Sequence, residues 1–199
     1  MSTFIHPLAC VEAASERIGD GTRIWAFAHV MGDVVVGRDC NIGDHAFLEA
    51  GVRIGDGVTI KNGVMVWKGV HLANYVFVGP GVVFTNDLRP RSPRLPILRD
   101  MGYSEADWLV ETFVEEGASL GAGSVVLPGV RIGAYAMVGA SSLVSRDVPA
   151  YRLAMGHPAR CVGWVDEFGM RLVEDGTTWR EPRSGRTYRI IDDRPRLIS

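Results

Sequence analysis

The stretch Val36-Gly37-Arg38-Asp39-Cys40-Asn41-Ile42-Gly43-Asp44-His45-Ala46-Phe47-Leu48-Glu49-Ala50-Gly51-Val52-Arg53-Ile54-Gly55-Asp56-Gly57-Val58-Thr59-Ile60 places a large apolar residue at every sixth position. The count extends outward in both directions. It takes in Val30, Ile24 and Ile18 on one side and Val66, Leu72, Val78 and Phe84 on the other, then resumes in phase at Val114, Leu120, Val126, Ile132, Val138 and Val144. None of these eighteen positions misses. In a chain that is 47% hydrophobic, such a run at one phase has a chance of roughly one in a million.

Neither the helical period of 3.6 nor the strand period of 2 produces a spacing of six. A short strand followed by a tight corner does. Four residues after most of the apolar positions stands a small or β-branched one, among them Ala28, Cys40, Ala46, Val52, Ala118, Ser124 and Ser142. Corner glycines, as in Gly55-Asp56-Gly57, bend the backbone where a side chain would obstruct it. Three such sides close a coil of eighteen residues, so the eighteen hexads make six coils. At strand spacing these stack to a prism of about 29 Å. The fold read from the repeat is an all-β solenoid.

The first 17 residues read as an irregular lead-in over the open end of the first coil. Residues 18–89 give four coils and residues 114–149 two more. Between them, residues 90–113 insert 24 residues with Pro90, Pro93 and Pro96 and a helical pattern around Ser104 to Val110. An insertion that preserves the hexad phase loops out from one corner and returns, and loops of this length are commonly functional. The β-helix domain is expected over residues 1–163. Residues 164–199 form a charged appendage whose strand-like pieces, Arg171 to Val173, Thr177 to Trp179 and Arg186 to Ile190, suggest a hairpin or meander and a terminal cap.

A net charge of -2 offers no general attraction to nucleic acid or anionic membranes. No apolar run is long enough to span a bilayer, and the N-terminus lacks a basic region followed by an apolar run, so a cytoplasmic protein is expected. Cys10, Cys40 and Cys161 are an odd, scattered set without a CxxC pair, which implies neither disulfides nor zinc. Cys40 occupies a small inward position and is expected to be a packed thiol.

Residues eighteen apart lie one above another on successive coils. By that arithmetic Asn86 stands over Lys68, Asp87 over Gly69, and an outward column runs Val35, Arg53, His71, Arg89. His71, Asn86, Asp87 and Arg89 are therefore expected at the corner from which the long loop departs, within one or two strand spacings of about 4.8 Å.

The hexads Ile18-Gly19-Asp20-Gly21-Thr22-Arg23 and Leu120-Gly121-Ala122-Gly123-Ser124-Val125 resemble the hexapeptide-repeat proteins, which form left-handed parallel β-helices and assemble as trimers. More specific elements narrow the likeness. Val66-Trp67-Lys68-Gly69-Val70, Phe84-Thr85-Asn86-Asp87 with Pro90-Arg91-Ser92, Trp108 with Thr112, and Gly156-His157-Pro158-Ala159-Arg160 with Gly163-Trp164 resemble the nucleotide-sugar N-acetyltransferases of that superfamily, especially those acting on 3-amino deoxysugars. The likeness covers about residues 6–170.

The resemblance implies transfer of an acetyl group from acetyl-coenzyme A to the amine of a dTDP- or UDP-linked sugar, in a homotrimer with sites between subunits and no metal cofactor. It places Asn86 at the sugar amine. Asparagine is no base at neutral pH, but its carbonyl can accept a hydrogen bond from the amine and aim the lone pair. His71 is the candidate base, Asp87 a contact for sugar hydroxyls, and Arg89 and Arg91 partners for the pyrophosphate. Lys68 stands where the family commonly has an acidic residue, and it is read as a sugar or phosphate contact. Coenzyme A is expected along the later coils. There Gly121, Ala122, Gly139, Ala140, Ser141 and Ser142 let the pantetheine arm approach the backbone, a backbone N–H can meet the thioester oxyanion, and Arg146 and Arg160 are phosphate partners.

Three other functions use the same scaffold. A zinc hydro-lyase of the γ-carbonic anhydrase kind needs three converging histidines, whereas His29, His45 and His71 fall in different columns. An O-acetyltransferase would depend on a true base, so that loss of His71 would abolish it. A non-catalytic sugar-nucleotide-binding scaffold would bind no acyl donor.

Overall fold

The computed structural model describes residues 2–199 and is a parallel β-solenoid with three faces. The longest face is a nine-stranded sheet. Its first eight strands, from Phe4–Ile5 to Arg152–Gly156, run parallel, and its last, Ala159–Trp164, turns back antiparallel as a hairpin. The second face has seven strands, from Cys10–Val11 to Leu143–Val144, and the third has five, extended at its two ends by the bridges Ile18 to Val36 and Ile132 to Val148. The solenoid thus makes about eight turns rather than the expected six. The difference lies at the ends. The lead-in is already coiled, with Phe4 opposite Arg23 and Cys10 opposite His29, and Leu153 and Ala154 continue the ladder above Met137 and Val138.

The sixfold period is the core. Ile24, Ile42, Leu48, Ile60, Val66, Val78, Leu120, Val126 and Ile132 are fully buried inside the coils. Each contributes roughly 1.5–3 kcal/mol of hydrophobic stabilisation. The small positions lie inside as well: Cys40 is buried, its Sγ 3.1 Å from the Gly55 carbonyl, and burial above all pushes its thiol pKa up. Coil packing also fixes glycine where a turn passes close above. A Cβ on Gly121 would collide with the backbone N of Ala140.

The inserted loop leaves the ladder after Asn86 and rejoins it at Val110. The bridge between Asp87 and Leu109 closes its neck, Val110 N–H donates to Asn86 O at 3.0 Å, and Thr112 N–H donates to Gly69 O at 2.8 Å. Thr112–Val114 is therefore already a coil strand over Val70–Leu72, and the excursion is shifted about three residues toward the N-terminus from the expected 90–113. The loop carries two short helices, Pro96–Asp100 and Glu105–Trp108. The second begins with a capping box in which Ser104 and Asp107 satisfy each other's turn.

After the hairpin, Val173–Asp175, Thr178–Arg180, Thr187–Ile191 and Arg194–Leu197 form a four-stranded antiparallel sheet. The sequence reading foresaw no strand at Arg194–Leu197. A buried carboxylate ties this sheet to the hairpin. Asp166 accepts from the N–H groups of Phe168 and Met170 and from Tyr188 Oη at 3.2 Å, and burial drives the Tyr188 phenol up to about 12.

Candidate active site

The root of the inserted loop is held by one residue of the coil below. Lys68 O accepts from Asn86 Nδ2 at 3.0 Å, Lys68 N–H donates to Glu49 Oε2 at 2.8 Å, and Lys68 Nζ reaches Glu105 Oε2 at 2.7 Å. The expected stacking of Asn86 over Lys68 is thus present. The lysine ammonium pairs with the second loop helix. Asn86 is half-buried, with its amide N–H₂ and its main-chain carbonyl both engaged. Among the described residues nothing donates to its Oδ1, which is left as an acceptor of fixed direction.

His71 sits in a different setting from the one the column predicted. The residue above it is Phe113, not Arg89, because the loop departs before the register reaches position 89. The outward column reads Val35, Arg53, His71, Phe113, Arg131. The imidazole stacks on Phe113 at 4.8 Å between centroids, and the Arg131 guanidinium caps the far face of that ring at 4.6 Å. His71 Nε2 is 2.9 Å from Glu111 Oε1. Glu111 follows Val110, whose N–H holds Asn86, so the two candidate catalytic residues are joined through two consecutive residues at the returning end of the loop. Arg53, His71, Phe113, Glu115 and Arg131 line a shallow groove on this face.

Asp87, Arg89 and Arg91 gather in the loop instead of on the coils. Asp87 Oδ1 accepts the Arg89 N–H at 2.8 Å in a tight turn, and Arg91 Nη1 donates to Pro90 O at 3.0 Å. Leu88, Leu98, Met101, Tyr103 and Asp107 complete a cup around the two arginines. Hydrogen bonds from the Ser104 backbone and hydroxyl hold the Asp107 carboxyl below its ordinary value, while desolvation, with Asp87 and Asp107 nearby, raises the Tyr103 phenol.

On the later coils the small residues divide into two sets. Gly121 and Gly139 are half-buried and forced by packing, since a Cβ at Gly139 would lie 2.8 Å from Met155 Cβ. Ser142 is buried, its Oγ accepting from Gly156 N–H at 3.1 Å, so it ties the coil to the hairpin and is closed to a ligand. Ala122, Ala140 and Ser141 form the exposed edge, and among the described residues the N–H groups of Ala122 and Ala140 make no hydrogen bond. Arg146 is exposed at the corner after Leu143–Val144, and Arg160 is exposed on the hairpin, its Nη1 on Ala159 O at 2.9 Å.

The three histidines weighed for zinc stay apart. His29 lies on the second face beside Cys10, His45 at a corner stacked on Phe27, and His71 on the third face. Cys10 and Glu12 bring two donor atoms within 4.8 Å of a nitrogen of His29, where the Glu12 carboxylate and the imidazole already pair at 2.7 Å.

Sequence reasoning missed Glu49, Glu105, Glu111 and Tyr103. Glu49 lay within reach of the eighteen-residue arithmetic, one coil below the Trp67-Lys68 corner. The other three come from the loop and its return, which that arithmetic does not index.

Against this geometry the comparisons with known proteins are direct. The model of the bacterial transferase hexapeptide (six repeats) matches residues 17–50 and 51–86, and that of the hexapeptide repeat of succinyl-transferase matches residues 112–146. The gap between them is the inserted loop. The chain belongs to the hexapeptide-repeat bacterial transferases. Within this family it is 49% identical over 169 residues to dTDP-3-amino-3,6-dideoxy-alpha-D-galactopyranose 3-N-acetyltransferase of Aneurinibacillus thermoaerophilus, covering 85% of this chain and 82% of that one. Solved structures share the fold at lower identity. A hexapeptide transferase family protein from Anaplasma phagocytophilum matches at 18% identity with a TM-score of 0.55, over 84% of this chain and 81% of that one. A hexapeptide-repeat acetyltransferase from Vibrio cholerae, complexed with acetyl-coenzyme A, matches at 23% identity with a TM-score of 0.54, over 76% and 73%.

Proposed function

We propose that this transferase moves the acetyl group of acetyl-coenzyme A to the amino group of a nucleotide-linked amino deoxysugar, a 3-amino sugar carried on dTDP or UDP. The observation that carries the reading is the 49% identity to a dTDP-3-amino-sugar 3-N-acetyltransferase across most of both chains. The geometry supports a direct-attack mechanism. Asn86 Oδ1, held in direction by the amide's bond to Lys68 O, accepts a hydrogen bond from the sugar amine and aims its lone pair at the thioester carbon. The amine attacks, the thioester oxygen takes up charge, and an unpaired N–H of the exposed edge at Ala122 or Ala140, supplied across a subunit boundary of the trimer, receives it. His71, oriented by Glu111, takes the proton released from nitrogen, and as the tetrahedral intermediate collapses coenzyme A leaves as the thiolate, which takes that proton back from the imidazolium to become the thiol.

The working unit in this reading is a homotrimer. The outward column Phe47, Met65, Val83, Val125, Leu143 makes one face apolar from coil to coil, with Met65 and Val83 both 47% exposed. Such a stripe on a flat face suits burial against a second subunit. No helix among the described residues is long and apolar enough to cross a membrane, and a cytoplasmic enzyme that meets its nucleotide sugar in solution fits the proposal.

Mass spectrometry of reactions with acetyl-coenzyme A and a panel of dTDP- and UDP-amino sugars, with the matching hydroxy sugars, tests it. Gain of one acetyl group on a 3-amino sugar alone is the expected result. Acetylation of the hydroxy sugars alone would replace N-transfer with O-transfer.

A further inference from the structure

Cys10, Glu12 and His29 bring a thiol, a carboxylate oxygen and an imidazole nitrogen within 4.8 Å of one another on the second face of the solenoid. Two neighbouring strands deliver them. Cys10 and Glu12 stand two apart on an extended segment, so both side chains leave the same outward side, and His29 lies directly opposite Cys10 on the next strand. The backbone fixes this register, since Cys10 N–H donates to Ala28 O at 2.9 Å and Glu12 N–H to Val30 O at 2.8 Å. The imidazole is held by the Glu12 carboxylate at 2.7 Å and by the edge-on Phe47 ring at 5.4 Å between centroids. Cys10 is a free, exposed thiol. The first turn takes nineteen residues from Cys10 to His29, so the eighteen-residue count sets His29 over Val11 and hides the cluster.

We propose that these three side chains bind a zinc ion. The donor set decides the class of ion. A thiolate and an imidazole nitrogen suit zinc, whereas calcium and magnesium take oxygen donors. Thiolate and carboxylate together balance the charge of a divalent cation, the imidazole binds neutral, and water fills the fourth position. Zinc bonds of about 2.0–2.3 Å set the donors of a tetrahedron roughly 3.3–3.8 Å apart. Small side-chain rotations therefore close the cluster on the ion, which releases the thiol proton to solvent and takes the place of the Glu12–His29 hydrogen bond. The site stands apart from acyl transfer, which calls for no metal. The outward column climbs from His29 through Phe47 and Met65 to Val83, in the turn that carries Asn86, which puts three strand spacings, about 14 Å, between the two levels. Cys10–Val11 is the edge strand of its sheet, and the ion clamps this uncovered first turn onto the second.

Isothermal titration of the metal-stripped, untagged full chain with Zn²⁺ tests the site, with Co²⁺ as a spectroscopic probe. One ion per chain is expected, and Co²⁺ should give a thiolate-to-metal charge-transfer band. Loss of an outer partner of a metal site costs about 10–100-fold in affinity, so loss of a direct ligand in Cys10→Ala or His29→Ala should cost about a hundredfold or more. Cys161→Ser, which removes the other exposed thiol, should leave affinity and band unchanged. None of the altered side chains is buried, and an unchanged far-ultraviolet circular dichroism spectrum reports that the variants remain folded. Wild-type protein that takes up no zinc at micromolar concentration, or zinc binding that survives in both alanine variants, would overturn the proposal.

Discussion

Lys68 Nζ and Glu105 Oε2 lie 2.7 Å apart, joining the coil beneath Asn86 to the second helix of the inserted loop. Both side chains are partly exposed, at 41% and 48%, so the pair is worth no more than about 1 kcal/mol. Its value is positional. Reversing one charge sets like charges face to face, and Lys68→Glu also adds a carboxylate next to Glu49. Each single reversal, Lys68→Glu or Glu105→Lys, is expected to raise KM for the nucleotide sugar about fivefold with kcat nearly unchanged. The double reversal restores KM toward the wild-type value. Steady-state kinetics on the three variants check this, and a double variant no better than the singles would remove the latch.

His71 and Glu111 act as a pair in the proposed mechanism, and a pH profile distinguishes that role from packing. Replacing His71 with Gln removes the proton acceptor but leaves an amine that can still reach the neutral form through solvent. Loss of about tenfold in kcat, below the 10²–10⁴ of an essential base, is expected. The rise of the profile moves toward higher pH, because the substrate ammonium then loses its proton unaided. A loss of 10³ or more on an amine substrate would make the base obligatory. An unaltered profile would assign His71 to the stack with Phe113.

The solenoid was legible because its determinant is local and repeated. Ile24, Ile42 and Ile60 mark the inside of successive turns of one face, and a period of six has no competing secondary structure. The ends were not legible, since Phe4–Ile5 and Leu153–Ala154 pair as coil strands without the hexad signal. The site divides the same way. Asn86 over Lys68 follows from adding eighteen, and the hydrogen bond is there. Arg89 over His71 follows from the same sum and fails, because the chain leaves the ladder at Asn86 and Phe113 takes the place. Glu111 and Tyr103 reach their positions through loop conformation, which no periodicity encodes.

Glu181 accepts hydrogen bonds in the turn of the C-terminal sheet and is expected to set that sheet's acid sensitivity. The Ser184 side chain and the N–H groups of Arg183 and Ser184 hold its carboxyl below its ordinary value. A carboxyl depressed in the folded state contributes stability above its unfolded pKa of about 4.3, and that contribution is lost as pH falls through the folded value. Hydrogen-exchange protection factors at Thr178–Arg180 and Thr187–Ile191 are therefore expected to fall on acidification below about pH 4 while those of the coils hold. Glu181→Gln should exchange faster at neutral pH and lose most of that acid dependence. Equal acid sensitivity in wild type and variant would place the trigger elsewhere.

Asn86 carries the most demanding prediction, because its two amide atoms have separable duties. Nδ2 anchors the side chain on Lys68 O, and in the proposed mechanism Oδ1 faces the amine. Asn86→Asp keeps an acceptor but removes the anchoring N–H, turning an attractive contact with the Lys68 carbonyl into a repulsive one and letting the carboxylate swing away. Asn86→Ala removes both. Displacement of a positioning group by about 1 Å costs on the order of 10²-fold, so both variants should lose about that much in kcat. KM for acetyl-coenzyme A should hold, since in the proposed mechanism Asn86 contacts the sugar amine and makes no contact with the acyl donor. Equal, large losses in Ala and Asp variants support alignment by an anchored amide. An Asp variant near wild-type activity would show that any acceptor suffices and that the bond to Lys68 is structural only.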